Sequence, residues 1–180
     1  MKKRIGRPRV YANNAEKARH FRARRAAERL KYLQLSQMKV YHRSQATEWE
    51  TPTTVFEALN AEFHFTLDAC ATPENAKCPQ YYTLAMNSLV QPWTGVVFCN
   101  PPYGPTIGYW MLKAHASALA GATVVCLVPA RTDTTWWQTY ATQGVVTFIP
   151  GRLTFGGAKN PAPFPNALVV FRPPVLSPPS

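Results

Sequence analysis

Val96-Val97-Phe98-Cys99-Asn100-Pro101-Pro102-Tyr103-Gly104 decides how this chain folds. Its first four residues form a short continuous apolar run, the pattern of a buried strand. A polar Asn100 ends the run, and Pro101 and Pro102 then fix the backbone of the turn that follows. Working outward, residues 106–120 read as a helix closed by Gly121, and 123–128 as a second buried strand. Upstream, residues 63–69 alternate like a strand ending at Asp68. Residues 145–149 and 167–171 give two further strands, joined by a Gly- and Pro-rich loop. Alternating strands and helices predict an α/β domain with an open, mostly parallel sheet flanked by helices. In such sheets ligands bind beyond the carboxyl ends of the strands. Asp68, Asn100 and the 129–133 loop each follow a predicted strand, so they are expected to converge on one edge.

Further toward the N-terminus, Thr51 is placed to cap a helix, with Pro52 at its first position and Val55, Phe56 and Leu59 as its apolar face. Residues 72–94 are polar and broken by proline, with Tyr81, Tyr82 and Trp93 expected to pack inward. The charge is unevenly spread. Residues 1–45 carry 14 Lys and Arg against 2 acidic residues, a net +12, whereas 46–180 carry 6 against 7, a net −1. Three parts follow: a basic arm over 1–45, a nearly neutral domain over 46–172 and a Pro/Ser-rich, disordered tail over 173–180. Within the arm, Gly6-Arg7-Pro8-Arg9 is similar to the core of an AT-hook, a minor-groove element, and equally to a plain basic tail. Residues 14–37 read as a helix whose basic side chains, among them Arg19, Arg22 and Arg25, suit DNA phosphates. No apolar run approaches the roughly 20 residues of a membrane-spanning helix, and no signal peptide is evident. A soluble cytoplasmic protein is expected. Cysteines at 70, 78, 99 and 126 form no C-x-x-C pair and have no companion histidine spacing, so they read as core thiols and no metal is expected.

Asn100-Pro101-Pro102-Tyr103 resembles the Asn/Asp-Pro-Pro-Tyr/Phe signature of amino-methylating methyltransferases, and chemistry explains the residue types. The exocyclic nitrogen of adenine is a poor nucleophile, because its lone pair is delocalised into the ring. Acceptors on both of its hydrogens help to localise that pair. The Asn100 side-chain oxygen and the Pro101 carbonyl supply two, and the prolines orient them before substrate arrives. Tyr103 offers a face for base stacking, and a target inside the duplex implies base flipping. A bare Pro-Pro-Tyr also occurs in turns and WW-domain ligands.

The resemblance extends from about Trp49 to Phe171, through Trp49-Glu50-Thr51-Pro52, Phe65-Thr66-Leu67-Asp68-Ala69, Asn75-Ala76-Lys77-Cys78, Leu127-Val128-Pro129-Ala130-Arg131-Thr132-Asp133-Thr134, Gly151-Arg152-Leu153 and Pro163-Phe164-Pro165. On these stretches the chain is identified as similar to the phage-type, Dam-like DNA N6-adenine methyltransferases. That resemblance implies a Rossmann-like class I fold, S-adenosylmethionine as methyl donor, double-stranded DNA as partner and a phage- or prophage-encoded enzyme in a bacterial cell. It places Thr51 and Pro52 at the methionine end of the cofactor, Asp68 by its amino group and Asn87 near its adenine, with Ala69 and Asn100 also among the cofactor-binding residues. Capping and turn roles are the alternatives for Thr51, Pro52 and Asp68. Asn87 stands where an acid is common, and Asp68-Ala69-Cys70-Ala71 lacks the usual glycine. Arg131 and Asp133 are candidates to touch flanking DNA, whereas Trp136 and Trp137 read as core. Other readings are a methylase of RNA or of a protein amide, a degenerate relative, or a non-catalytic DNA-binding protein. A monomer is slightly favoured.

Overall fold

A computed structural model describes residues 50–174. The chain divides into two units, Met1–Gln37 and Met38–Ser180, and the described residues belong to the second. The basic arm, with Arg7, Arg9, Arg19, Arg22 and Arg25, and the tail from 175 onward lie outside the described residues.

Helix α1 (Thr53–Phe63) buries Phe56 and Leu59, as the apolar spacing predicts. It starts two residues after Thr51, and no side chain caps it. The Pro52 carbonyl accepts instead from the N–H groups of Val55 and Phe56, both at 3.0 Å. The helix runs through Phe63 and stops at His64, whose φ of 54° is left-handed. The alternation over 63–69 therefore belongs partly to a helix, and the paired strand β1 is only Leu67–Asp68. Gln80–Tyr81 forms a short strand β2 that the polar sequence did not announce. Strand β3 (Val96–Cys99), helix α2 (Ile107–Leu119) and strand β4 (Thr123–Pro129) fall where expected. A five-residue helix α3 (Thr135–Thr139) and a 3-10 turn at Ala141–Gln143 precede strands β5 (Val145–Phe148) and β6 (Asn166–Phe171).

The sheet order is β2-β1-β3-β4-β6-β5. Strands β1 to β4 are parallel, and β6 pairs antiparallel with both β4 and β5. One strand in six thus runs against the rest. Side chains alternate across β3 and β4 and bury both faces, as a central parallel strand requires. Val97, Cys99, Val124, Cys126 and Val128 join a core that includes Trp93, Trp110 and Met111 on the α2 side. Phe98, Val125 and Leu127 join one that includes Phe56, Phe65 and Phe155 on the α1 side. The four cysteines are free thiols, three of them buried.

From β1 the chain goes outward to β2 and returns to the other side of β1 as β3. The carboxyl ends of β1 and β3 therefore diverge at a topological switch point, where an open α/β sheet leaves a crevice. Asp68 ends one of these strands, and Asn100 follows the other.

Candidate active site

A cleft opens at that switch point, and Thr51, Asp68, Ala69 and Asn100 all line it. Asp68 is its buried charge, 3% exposed. One carboxylate oxygen accepts from the Cys70 N–H at 3.2 Å and the other from the Lys77 N–H at 3.1 Å. Burial pushes the carboxyl above the usual carboxylate range, and the two N–H donors with the Lys77 charge only partly oppose it. The Lys77 ammonium donates to Glu50 Oε1 at 3.0 Å. The Glu50 carbonyl accepts from Gly156 N–H at 2.8 Å. A methyl group on Gly156 would stand 3.0 Å from the Glu50 carboxylate and 3.2 Å from its Cβ. Glycine is thus the residue that lets the 150–165 loop lie against the segment entering the cleft. Burial pushes the Cys70 and Cys78 thiols up to about 12, so neither is a thiolate near neutrality.

The Asn100-Pro101-Pro102-Tyr103 segment is held at both ends. The Asn100 Nδ2 donates to Thr51 Oγ1 at 3.0 Å. Pro101 is buried and Pro102 lines the cleft. The Tyr103 hydroxyl donates to the Leu127 carbonyl at 3.2 Å and accepts from Asn166 Nδ2 at 3.4 Å. Phe155 and Phe164 meet the Tyr103 ring edge-on, at 86° and 70°. Burial raises the Tyr103 phenol well above its ordinary value, so its proton stays in place and its hydroxyl serves as an anchor.

Two expected cofactor residues stand beside the wall of the cleft. Pro52 follows the lining residue Thr51, and Asn87 precedes the lining residue Ser88. Asn87 has a left-handed φ of 50° and enters the 3-10 turn Ser88–Val90. Arg131 and Asp133 are exposed in the loop after β4 and are not among the residues lining the cleft. Trp137 is buried, as expected, and Trp136 is half-buried against it at 65°. Sequence reasoning missed Tyr82 and Leu84 on the cleft wall, the Glu50–Lys77 pair, and Asn166 behind Tyr103. The signal for Asn166 was a buried amide opening an otherwise apolar strand, Asn166-Ala167-Leu168-Val169-Val170-Phe171.

The family model for "DNA N-6-adenine-methyltransferase (Dam)" matches residues 38–172. The DNA N-6-adenine-methyltransferase of Haemophilus phage HP1 (strain HP1c1) is 29% identical over 137 residues, which is 69% of this chain and 78% of that protein. The DNA N-6-adenine-methyltransferase of Escherichia phage T1 is 32% identical over 105 residues, 56% of this chain and 43% of that protein.

Proposed function

Because the chain belongs to the DNA N-6-adenine-methyltransferase (Dam) family, and is thereby an S-adenosylmethionine-dependent enzyme of DNA adenine methylation, we propose that Asn100, Pro101, Pro102 and Tyr103 are its catalytic platform and that the cleft beside them holds the methyl donor. The observation that carries this reading is the shared cleft: Asp68 and Asn100, from adjacent strand ends, both open into it.

The residues present fit that donor. A buried carboxylate whose pKa burial has raised is a poor place for a bare negative charge and a good one for a ligand ammonium. Asp68 would hold the amino group of the methionine moiety. Ala69 and Ala71 leave room at the strand end, where glycine is more usual, and Tyr82 and Leu84 offer apolar surface for the remainder. S-adenosylmethionine, when bound, supplies an electrophilic methyl carbon on a sulfonium sulfur.

The protein's part is to present the adenine amine. The Asn100 Oδ1 and the Pro101 carbonyl would each accept one hydrogen of that amine, turning the nitrogen lone pair out of conjugation with the ring. These acceptors are preorganised by the prolines and by the Thr51 contact, so little reorganisation remains for the transition state. No strong base is required, because the nitrogen sheds its proton only after it has gained the methyl group. Tyr103, fixed by Leu127 and Asn166, would give the base a stacking face. The reacting nitrogen lies inside a paired duplex, so base flipping belongs to the same proposal.

Five strands running one way, with the single reversed strand β6 lodged between β4 and β5, support a Rossmann-like class I fold. Residues 1–45 form a DNA-contacting arm, 46–172 the methyltransferase domain and 173–180 a tail. Arg131 and Asp133 meet flanking double-stranded DNA. The enzyme acts in the cytoplasm of a bacterial host. No helix among the described residues is long and apolar enough to cross a membrane. Incubation of the protein and of Asn100→Ala with methyl-labelled S-adenosylmethionine and unmethylated duplex DNA or RNA in parallel, followed by nucleoside analysis, tests the activity and its platform. Label is expected in N6-methyladenine. Label in cytosine, or in RNA alone, would overturn the reading.

A further inference from the structure

Thr51 sits where a helix cap is expected, yet its hydroxyl is used elsewhere. Helix α1 begins at Thr53 with no capping side chain, and its first N–H groups go to the Pro52 carbonyl. Thr51 is 4% exposed, and its Oγ1 accepts the Asn100 Nδ2 hydrogen across 49 residues of sequence. Both neighbours of Thr51 are immobilised. Pro52 is a proline with φ of −56°, and the Glu50 carbonyl is bridged to Gly156 at 2.8 Å.

A primary amide has two ends of nearly equal size and opposite hydrogen-bonding sense. Packing distinguishes them poorly, and a half-turn of the side chain exchanges them. The chemistry tolerates one orientation only. An oxygen toward the adenine amine accepts its hydrogen, whereas an NH2 group there opposes it donor to donor. Thr51 Oγ1 takes the nitrogen end from a stretch of backbone pinned on both sides, and that hydrogen bond restrains the amide. We propose that Thr51 is a positioning residue, which anchors the Asn100 side chain through its hydroxyl and so steadies the acceptor oxygen. The inference rests on the reading of Asn100 as an acceptor for the target amine. It differs from a contact to the methyl donor, the role that Thr51's place on the cleft wall suggests first.

Thr51→Val keeps the shape and removes the acceptor, whereas Thr51→Ser restores it. Steady-state methylation at saturating DNA and donor gives kcat, and calorimetry gives donor affinity. Thr51→Val is expected to lower kcat about 10- to 100-fold, the kinetic equivalent of one misdirected hydrogen bond in the site. Donor affinity is expected to fall by much less than kcat does, with Thr51→Ser near the parent in both. Thr51→Ala replaces Val if the Val variant does not fold, with the same expectation. An unchanged kcat, or a loss confined to donor affinity, overturns the proposal. Asn100→Ala, assayed alongside, separates the two claims. If that variant stays active, the acceptor role of Asn100 itself fails. If it is inactive while Thr51→Val matches the parent, only the positioning role fails.

Discussion

At the scale of single residues, the proposed chemistry is divided between two side chains on neighbouring strand ends. Asn100 presents an acceptor, and Asp68 presents a charge. Asn100→Ala removes one of the two proposed acceptors for the amine and leaves β3 untouched, because the side chain lies beyond the strand. The expected result is a folded protein with kcat reduced by about 10²–10³-fold or more, the scale for losing a preorganised polar group at a reacting centre. Circular dichroism beside the methylation assay checks both halves, and retained turnover would remove Asn100 from the mechanism. Asp68 carries a pH signature. Burial raises its pKa, so the folded protein holds that proton more tightly than the unfolded chain does. The donor-free protein therefore loses stability as pH rises through the interval between the ordinary and the raised value. Only the ionised carboxylate pairs with a ligand ammonium, so donor affinity moves the opposite way. It is expected to rise with pH through the same interval and to be lost below it. Calorimetric titration of S-adenosylmethionine at several pH values measures this. Asp68→Ala should flatten the profile and cost about 2–5 kcal/mol of binding, as for a buried, hydrogen-bonded charge pair that loses one partner. A parent profile that is already flat would separate Asp68 from the ammonium.

At the scale of elements, connections near the cleft are set by backbone geometry as much as by side chains. Gly95, just before β3, has φ of +71°, and a methyl group there would stand 2.7 Å from Thr66 Oγ1. That oxygen accepts from Val96 N–H and donates to Val96 O, both at 3.1 Å, and so ties β1 to β3. Gly95→Ala is expected to destabilise the fold by about 1–3 kcal/mol, through left-handed strain and the displaced hydroxyl. Differential scanning calorimetry should show the lower Tm, and the surviving folded fraction should keep its kcat. An unchanged Tm would show that this connection relaxes freely. Sequence patterning revealed the elements that carry their own signal. The run Val96–Cys99 and the run Thr123–Pro129 are buried on both faces, so continuous apolar residues were sufficient. Phe63 and Phe65 misled because their spacing suits a strand, whereas Phe63 closes a helix and stacks on Phe65 at 15°. Gln80–Tyr81 has no apolar pattern, and its strand geometry is supplied by pairing with β1. The proposed catalytic segment was legible because its residues are consecutive. Its supports were not, since Thr51 and Asn166 act across 49 and 63 residues of chain, and no local pattern encodes such pairs.

At the scale of the whole molecule, charge and chemistry occupy different parts of the chain. Every residue named in the cleft falls within 50–174, a stretch close to neutral, whereas residues 1–37 hold 12 of the chain's 20 Lys and Arg. Those first residues also precede the matched family stretch, which begins at residue 38. A nearly neutral domain must approach a polyanion with little electrostatic help, so affinity for DNA is expected to come from the arm. Each phosphate neutralised releases condensed counterions and adds about −0.9 to the slope of log K against log salt on duplex DNA. Removing residues 1–37 should therefore weaken DNA binding strongly at low salt and flatten the slope by several such increments. The difference from the full chain should shrink as salt rises. Turnover at saturating DNA should survive, because amine and methyl donor are held by residues beyond the cut. Fluorescence anisotropy on one duplex across a salt series, with the methylation assay on both proteins, reads the two properties separately. An unchanged slope would mean that the arm neutralises no phosphates, and that the exposed loops around the cleft, Arg131 among them, hold the duplex instead.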